Sequence, residues 1–283
     1  MIASLPLSRR FRWAYAVYVL MFFIYLAAPL IVVGVFAFND SRFPALPWQG
    51  FTLDWFVAND AERTGLFHDR AILRSLGVSA LVASCVTILA VSLATLNAFL
   101  FERYRFPGKN LLFILMLLPL VIPGVILGIS ILIFASRIAN YFDFNHDILL
   151  EMLRPGLLLV VLGQFAFLST IATLVISARL RTFDVQLEEA ARNLGASQLT
   201  AIVTVTLPFL APAIIGSALI CFLMSFENFN TTLMLVGSDA PLTITLFSRL
   251  REGAIPVLNA VSLMLMLGSM GVALIAVRVQ KRA

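Results

Sequence analysis

Six stretches of the chain run with scarcely a charged residue: 14–38, 73–101, 111–136, 155–178, 209–236 and 257–277. Each supplies the roughly 20 helical residues, at about 1.5 Å of rise per residue, that cross the hydrocarbon core of a bilayer. None alternates polar with apolar positions as the strands of a membrane barrel must, so the pattern predicts helices whose backbone polar groups are satisfied internally. No repeat, low-complexity tract or interdomain linker interrupts the series, and 1–283 reads as one transmembrane domain. The first stretch is too long for a secretory h-region and lacks a small-residue cleavage site, so it is expected to stay as an anchor.

Composition narrows the solvent to lipid. Of 283 residues, 61% are hydrophobic and 12% charged, too apolar for a water-soluble domain. The net charge of +5 does not point to nucleic acid, because the basic residues form short collars beside the apolar stretches. Those collars also orient the bundle. Arg9, Arg10 and Arg12 precede the first stretch, Arg103, Arg105 and Lys109 separate the second and third, Arg179, Arg181 and Arg192 the fourth and fifth, and Arg278, Lys281 and Arg282 close the chain. They are 12 of the 20 cations and sit on the shorter connections, so the positive-inside rule puts both termini and the segment 179–208 in the cytoplasm.

Three places depart from the apolar pattern. Pro119, Pro123, Gly124 and Gly128 fall within the third stretch and predict a kinked helix with a close-approach face, for structural reasons or to line a pathway. In the external segment 39–70, Trp48, Trp55, Phe51, Phe56 and Phe67 stand among polar residues, and Thr52 or Asp54 could cap a short interfacial helix. That segment reads as an aromatic belt or as a contact surface for an external partner. In the fifth stretch, Glu227 is the one acidic residue well inside an apolar span, followed by Asn228, Asn230, Thr231 and Thr232. A carboxylate there costs several kcal/mol unless it is solvated, paired or protonated, so these five are candidate substrate-pathway residues, weighed against a hydrogen bond that only fixes packing. Asn97 and Gln164 read as interhelical bonds.

Between the fourth and fifth stretches, Asp184 is placed to cap a helix running to Leu194, with Leu187, Ala190 or Ala191, and Leu194 on one face, Glu188 and Glu189 on an acidic side, and Gly195 at the position that ends it. Ile202 to Leu207 has strand propensity, but a lone strand would leave its edge unpaired, so a second short helix leading into Pro208 is predicted. No phosphate-binding loop, nucleophile elbow, metalloprotease helix or paired-carboxylate constellation is present, so no catalytic residue is assigned. Cys85 and Cys221 lie far apart in apolar surroundings, and His68 and His146 lack ligand spacing, so no metal site or cofactor is expected.

Glu189, Ala190, Ala191, Gly195, Val205, Leu207 and Pro208 spell E-A-A-x3-G-x9-V-x-L-P, which resembles the EAA loop of ABC importer permeases. Asn39, Ser41, Arg42 and Phe43, with Trp48, Gln49, Gly50, Phe51 and Thr52, resemble the first external segment of spermidine/putrescine permeases. Pro241, Leu242, Thr243 and Ile244, then Ser248, Pro256, Asn259 and Ala260, resemble that group's last external loop. Val205 stands where isoleucine is usual, and Glu227 is followed by Asn228 where polyamine permeases tend to carry paired acids.

The resemblance implies an all-α membrane protein, a six-helix transmembrane bundle of the ABC type I importer permease kind, in a bacterial inner membrane. It implies a second permease subunit of related sequence, two ATPase subunits and a periplasmic substrate-binding protein as partners. Asp184, Glu188, Glu189, Ala190, Ala191, Gly195, Leu207 and Pro208 would couple the permease to the ATPase, and polyamines are the implied cargo. Import of another small organic solute, amino-acid-like or phosphonate-like, an ion-driven carrier or channel using Glu227, and a noncatalytic scaffold are the alternatives.

Overall fold

The computed structural model describes residues 8–41, 43, 46–60, 63–253 and 256–281; Arg42 of the external motif and Arg282 of the terminal collar lie outside them. Among the described residues the chain is helical, with two isolated antiparallel bridges and no sheet. Six helices among the described residues are long and apolar enough to cross a membrane.

The chain divides into two units, 1–70 with 249–267 and 71–248 with 268–283. In the first, α1 (Arg9–Phe36) buries none of its residues, and Trp13, Tyr25 and Ile31 all stand exposed. A helix apolar all round with no buried side requires lipid or a partner around it. After α1 the chain forms a small tied structure about α2 (Asp54–Val57). Trp55 is buried and donates its indole N–H to the Asn39 carbonyl at 2.8 Å, while the Asn39 side chain accepts the Gln49 amide at 2.9 Å. Phe38 stacks on Phe51, and Arg63 joins Asp40 at 2.6 Å to Asp54 at 3.1 Å. The hydrogen bond to Asp40 leads the effects that raise the Arg63 pKa. Leu53 holds the N-cap position of α2 without a side-chain bond, and Thr52 Oγ1 accepts the Asp54 amide at 3.1 Å in the turn leading into it, so neither Thr52 nor Asp54 makes the cap expected here.

The second unit contains most of α3 (Arg70–Arg103), then α4 (Lys109–Val121), α5 (Gly124–His146) and α6 (Leu157–Leu180). It continues through α7 (Gln186–Asn193), α8 (Gln198–Ala201), α9 (Leu207–Phe226) and α10 (Asn230–Leu235). α11 (Leu242–Glu252) and α12 (Val257–Lys281) each contribute to both units. α6 is the central helix, with Leu159, Val160, Leu168, Ala172 and Ile176 all at most 2% exposed. Lipid tails are as apolar as leucine, so burial alone does not hold such helices together; close packing and hydrogen bonds do. α3 follows that rule by burying Ser79, Ala83, Ala90, Ala94 and Ala98.

Two of the apolar stretches are not single helices. The stretch 111–136 falls on α4 and α5, separated at Ile122 and Pro123, where Ile122 is extended with ψ 128°. Pro123 has no amide to continue the ladder and excludes the helical conformation at the residue before it, so the kink expected from sequence is a break. The stretch 209–236 is likewise divided, into α9 and α10, with Glu227 closing the first. Here neither proline nor glycine is responsible. Asn228, one residue before the N-cap Phe229, accepts at Oδ1 both the backbone amide of Thr232 at 3.2 Å and its hydroxyl at 2.9 Å, satisfying a first-turn amide of α10.

α10 sits in a socket made by glycines. A Cβ at Gly124 would lie 3.0 Å from Thr231 Oγ1, one at Gly128 would lie 2.9 Å from Met234 Cβ, and one at Gly163 would collide with Leu235. At Gly237 the obstacle is backbone rather than side chain, since its Cβ would stand 2.5 Å from the Pro155 carbonyl oxygen. The small-residue spacing seen in the third stretch therefore receives α10.

Candidate functional site

Two polar regions carry the candidate residues. The first surrounds α7, an eight-residue helix with no buried residue, acidic at its start and with Arg192 in its last turn, an arrangement that complements the helix dipole. The helix is shorter than the spacing of Asp184 and Leu194 implies. Val185 holds the N-cap position, and Asp184 instead turns the chain into it, its Oδ1 accepting the Gln186 amide at 3.0 Å. At the other end Gly195 has φ +96°; its amide reaches the Arg192 carbonyl at 2.9 Å and the Ala196 amide the Ala191 carbonyl at 3.1 Å. These paired bonds are a Schellman stop, which needs the left-handed conformation that glycine takes without strain.

Neighbouring carboxylates in α7 part company. Glu189 is exposed and borders a surface recess with Arg192, Asn193 and Ala196. Glu188 turns inward, its side chain 17% exposed, and pairs at 3.0 Å with Arg103, the last residue of α3, itself 20% exposed. The same Glu188 oxygen accepts the Thr206 hydroxyl. Arg103 lies over the Phe183 ring, Phe183 packs edge-on against Phe209, and Arg179 lies over Phe209. Arg181 joins Glu102 at 2.9 Å. The basic collar read as topology information is thus also a set of specific joints. Sequence spacing gave no sign of the Arg103 and Thr206 partnerships, because their members are 85 and 18 residues from Glu188.

Outside this joint the segment presents apolar side chains without cover. Leu194 is 91% and Leu199 75% exposed, with Val185, Leu187 and Val203 exposed beside them. Ala190 is exposed and Ala191 half-buried, so small side chains flank the larger ones. The second short helix expected before Pro208 is helical but not separate. Gln198–Phe226 is continuous, with a wider π turn at Ile202–Thr206 in which the Leu207 amide bonds the Ile202 carbonyl. Pro208 cannot donate to Thr204, and the wider turn accommodates that missing bond.

The second region is the break between α9 and α10, where the five polar residues divide. Glu227 and Asn230 are exposed on the chain's surface, whereas Thr231 and Thr232 are buried and Asn228 is half-buried. The inward members belong to a chain of neutral hydrogen bonds. Ser225 donates to Gln164 Oε1, Gln164 Nε2 donates to Thr232 Oγ1 at 2.8 Å, and Thr232 donates to Asn228. Gln164 is thus the interhelical bond expected of it, tying α6 to both halves of the broken span. Asn97 reaches only the Met116 sulfur, at 4.0 Å. Among the described residues no cluster of three or more potential metal ligands occurs.

Comparison with known proteins gives this geometry its class. Residues 87–283 match the model of the binding-protein-dependent transport system inner membrane component, and the chain belongs to that family. It is 32% identical over 271 residues to the putrescine transport system permease protein PotI of Escherichia coli K12, covering 95% of this chain and 90% of PotI. It is 26% identical over 247 residues to the spermidine/putrescine transport system permease protein PotC of the same strain, covering 87% and 86%. Among solved structures, a bacterial ABC transporter involved in the import of the acidic polysaccharide alginate superimposes with a TM-score of 0.75 at 18% identity, over 95% of this chain and 94% of that one. The chain is therefore a multi-pass membrane protein and the permease subunit of an ABC importer, with ATP hydrolysis in a separate chain. That class sets aside the ion-driven carrier and the scaffold.

Proposed function

We propose that the chain is the permease subunit of a polyamine importer, receiving putrescine or spermidine from a periplasmic binding protein and coupled to its ATPase through α7. The names of PotI and PotC support the cargo, and the exposed surface of Glu189, Leu187, Leu194 and Leu199 supports the docking role. An apolar patch of this kind, beside a carboxylate and outside the apolar spans, matches a receiving groove with apolar walls and a basic rim. The positive-inside count supports a cytoplasmic side for this patch and both termini, and the bacterial relatives support an inner-membrane location. A second permease chain of related sequence and two ATPase chains complete the assembly.

In this reading, closure of the ATPase pair displaces α7, and rigid-body motion of the two permease chains opens a central pathway to alternate sides. Glu227, at the helix break, faces that pathway and attracts the ammonium groups of the cargo. Asn228, Thr231 and Thr232 hold the break in shape. The single observation carrying the proposal is the uncovered α7 surface set beside a helix that runs on to the broken span. The test is uptake by proteoliposomes holding the complete transporter. The reading expects ATP-dependent accumulation of labelled putrescine or spermidine, competed by the other and not by a neutral amino acid; uptake of neither, or uptake driven by an ion gradient without ATP, contradicts it.

A further inference from the structure

Glu188 is the side chain that α7 sends inward. The helix has no buried residue, and its leucine stands exposed. What fastens it is a shielded ion pair to the end of α3 and a hydrogen bond from the π turn near the start of the long helix. Arg103 extends the fastening through Phe183 to Phe209, near the start of α9. From that end α9 runs 20 residues, about 30 Å at helical rise, to its close at Glu227.

We propose that Glu188 is a positioning residue of the transport cycle, acting within this chain rather than on the ATPase. The clasp of Arg103, Glu188 and Thr206 makes α7 and α9 one lever, so a push on α7 reaches the break between α9 and α10 instead of being absorbed at the π turn. This rests on the coupling role proposed for α7. Two adjacent carboxylates thereby take different roles, Glu189 meeting the ATPase and Glu188 carrying its stroke inward. A shielded pair suits the second role, because losing one member leaves the other charge without compensation and the joint opens.

The experiment uses the complete transporter with its binding protein in proteoliposomes, and compares Glu188→Gln, Arg103→Gln, Thr206→Val and the charge swap R103E/E188R. Co-purification of the ATPase, ATP hydrolysis and labelled putrescine uptake are measured together. Glu188→Gln and Arg103→Gln are expected to retain the ATPase within about twofold while putrescine moved per ATP falls about tenfold, and the swap to recover much of that ratio. Thr206→Val is expected to lower the ratio less. An unchanged ratio with reduced protein yield would show a purely stabilising bridge and overturn the proposal. Loss of ATPase binding in step with uptake would make Glu188 a docking contact and overturn it as well. Failure of the unaltered chain to hold any ATPase is a different signature, striking the coupling role of α7 itself.

A second readout does not depend on the cargo. Cys85 and Cys221 are replaced by alanine, a cysteine is placed at Asn230, and maleimide labelling is followed with and without ATP. The expected result is a nucleotide-dependent labelling rate that Glu188→Gln abolishes. Retention of the full ATP response in Glu188→Gln would refute the lever.

Discussion

The segment around α7 and the break between α9 and α10 are both polar interruptions, yet they are built on opposite terms. At α7 the inward contact is charged, Glu188 with Arg103, and outward the segment sets the uncovered side chains of Leu187, Leu194 and Leu199 beside the exposed Glu189 and Arg192. At the break the inward contacts are neutral hydrogen bonds through Gln164 and Thr232, and the outward members are polar, Glu227 and Asn230. The difference follows from the surroundings. An ion pair can be kept near water, where its desolvation cost is modest, whereas amides and hydroxyls are the less costly way to satisfy a backbone interrupted inside an apolar bundle. Exposed leucines outside the spans ask for a protein partner, and an accessible carboxylate within a span asks for a wet pathway or a cation.

The comparison can be broken most severely at the socket of α10. Gly237→Ala and Gly128→Ala force a methyl group against the Pro155 carbonyl and Met234, and each is expected to cost about 1–3 kcal/mol, read as earlier thermal aggregation in detergent. Equal stability of both variants would mean that α10 is not held by close approach. Next in size, Glu189→Lys is expected to weaken ATPase retention by about tenfold, while insertion and thermal stability stay unchanged. Gln164→Leu removes the acceptor of Ser225 and leaves Thr232 bonded to Asn228 alone, and is expected to cost about 1 kcal/mol of stability, with ATPase retention intact. A Cβ at Gly195 meets no atom within 4 Å, so Gly195→Val is expected to cost about 1–2 kcal/mol through forcing a branched residue to positive φ, seen as local loosening of α7 in proteolysis. Glu227→Gln sharpens the other side: a raised apparent KM for cationic cargo with ATPase retention unaltered.

Much of this arrangement was legible in the sequence, and what was not has a common cause. The apolar stretches announced membrane helices because lipid leaves a spanning chain so few alternatives. Gly195 announced its own position because a left-handed stop strongly favours glycine. The division at Pro123 was half visible, since proline announces a lost hydrogen bond but not whether the helix bends or parts. The division at Asn228 was hidden, because the Thr232 that Asn228 holds is itself fixed by Gln164, 68 residues away. Glu188 and Glu189 looked alike for the same reason. Which of two adjacent carboxylates turns inward is decided by Arg103 and Thr206, partners that only the folded chain brings together.

The central claim, that α7 is the point at which an ATPase grips this permease, is tested most directly by a cysteine at Leu194. In the assembled complex in native membranes, this side chain is expected to cross-link to the ATPase subunit with a yield that changes on adding ATP, and to resist a membrane-impermeant maleimide applied from outside. Labelling from outside with no cross-link to the ATPase would contradict the account.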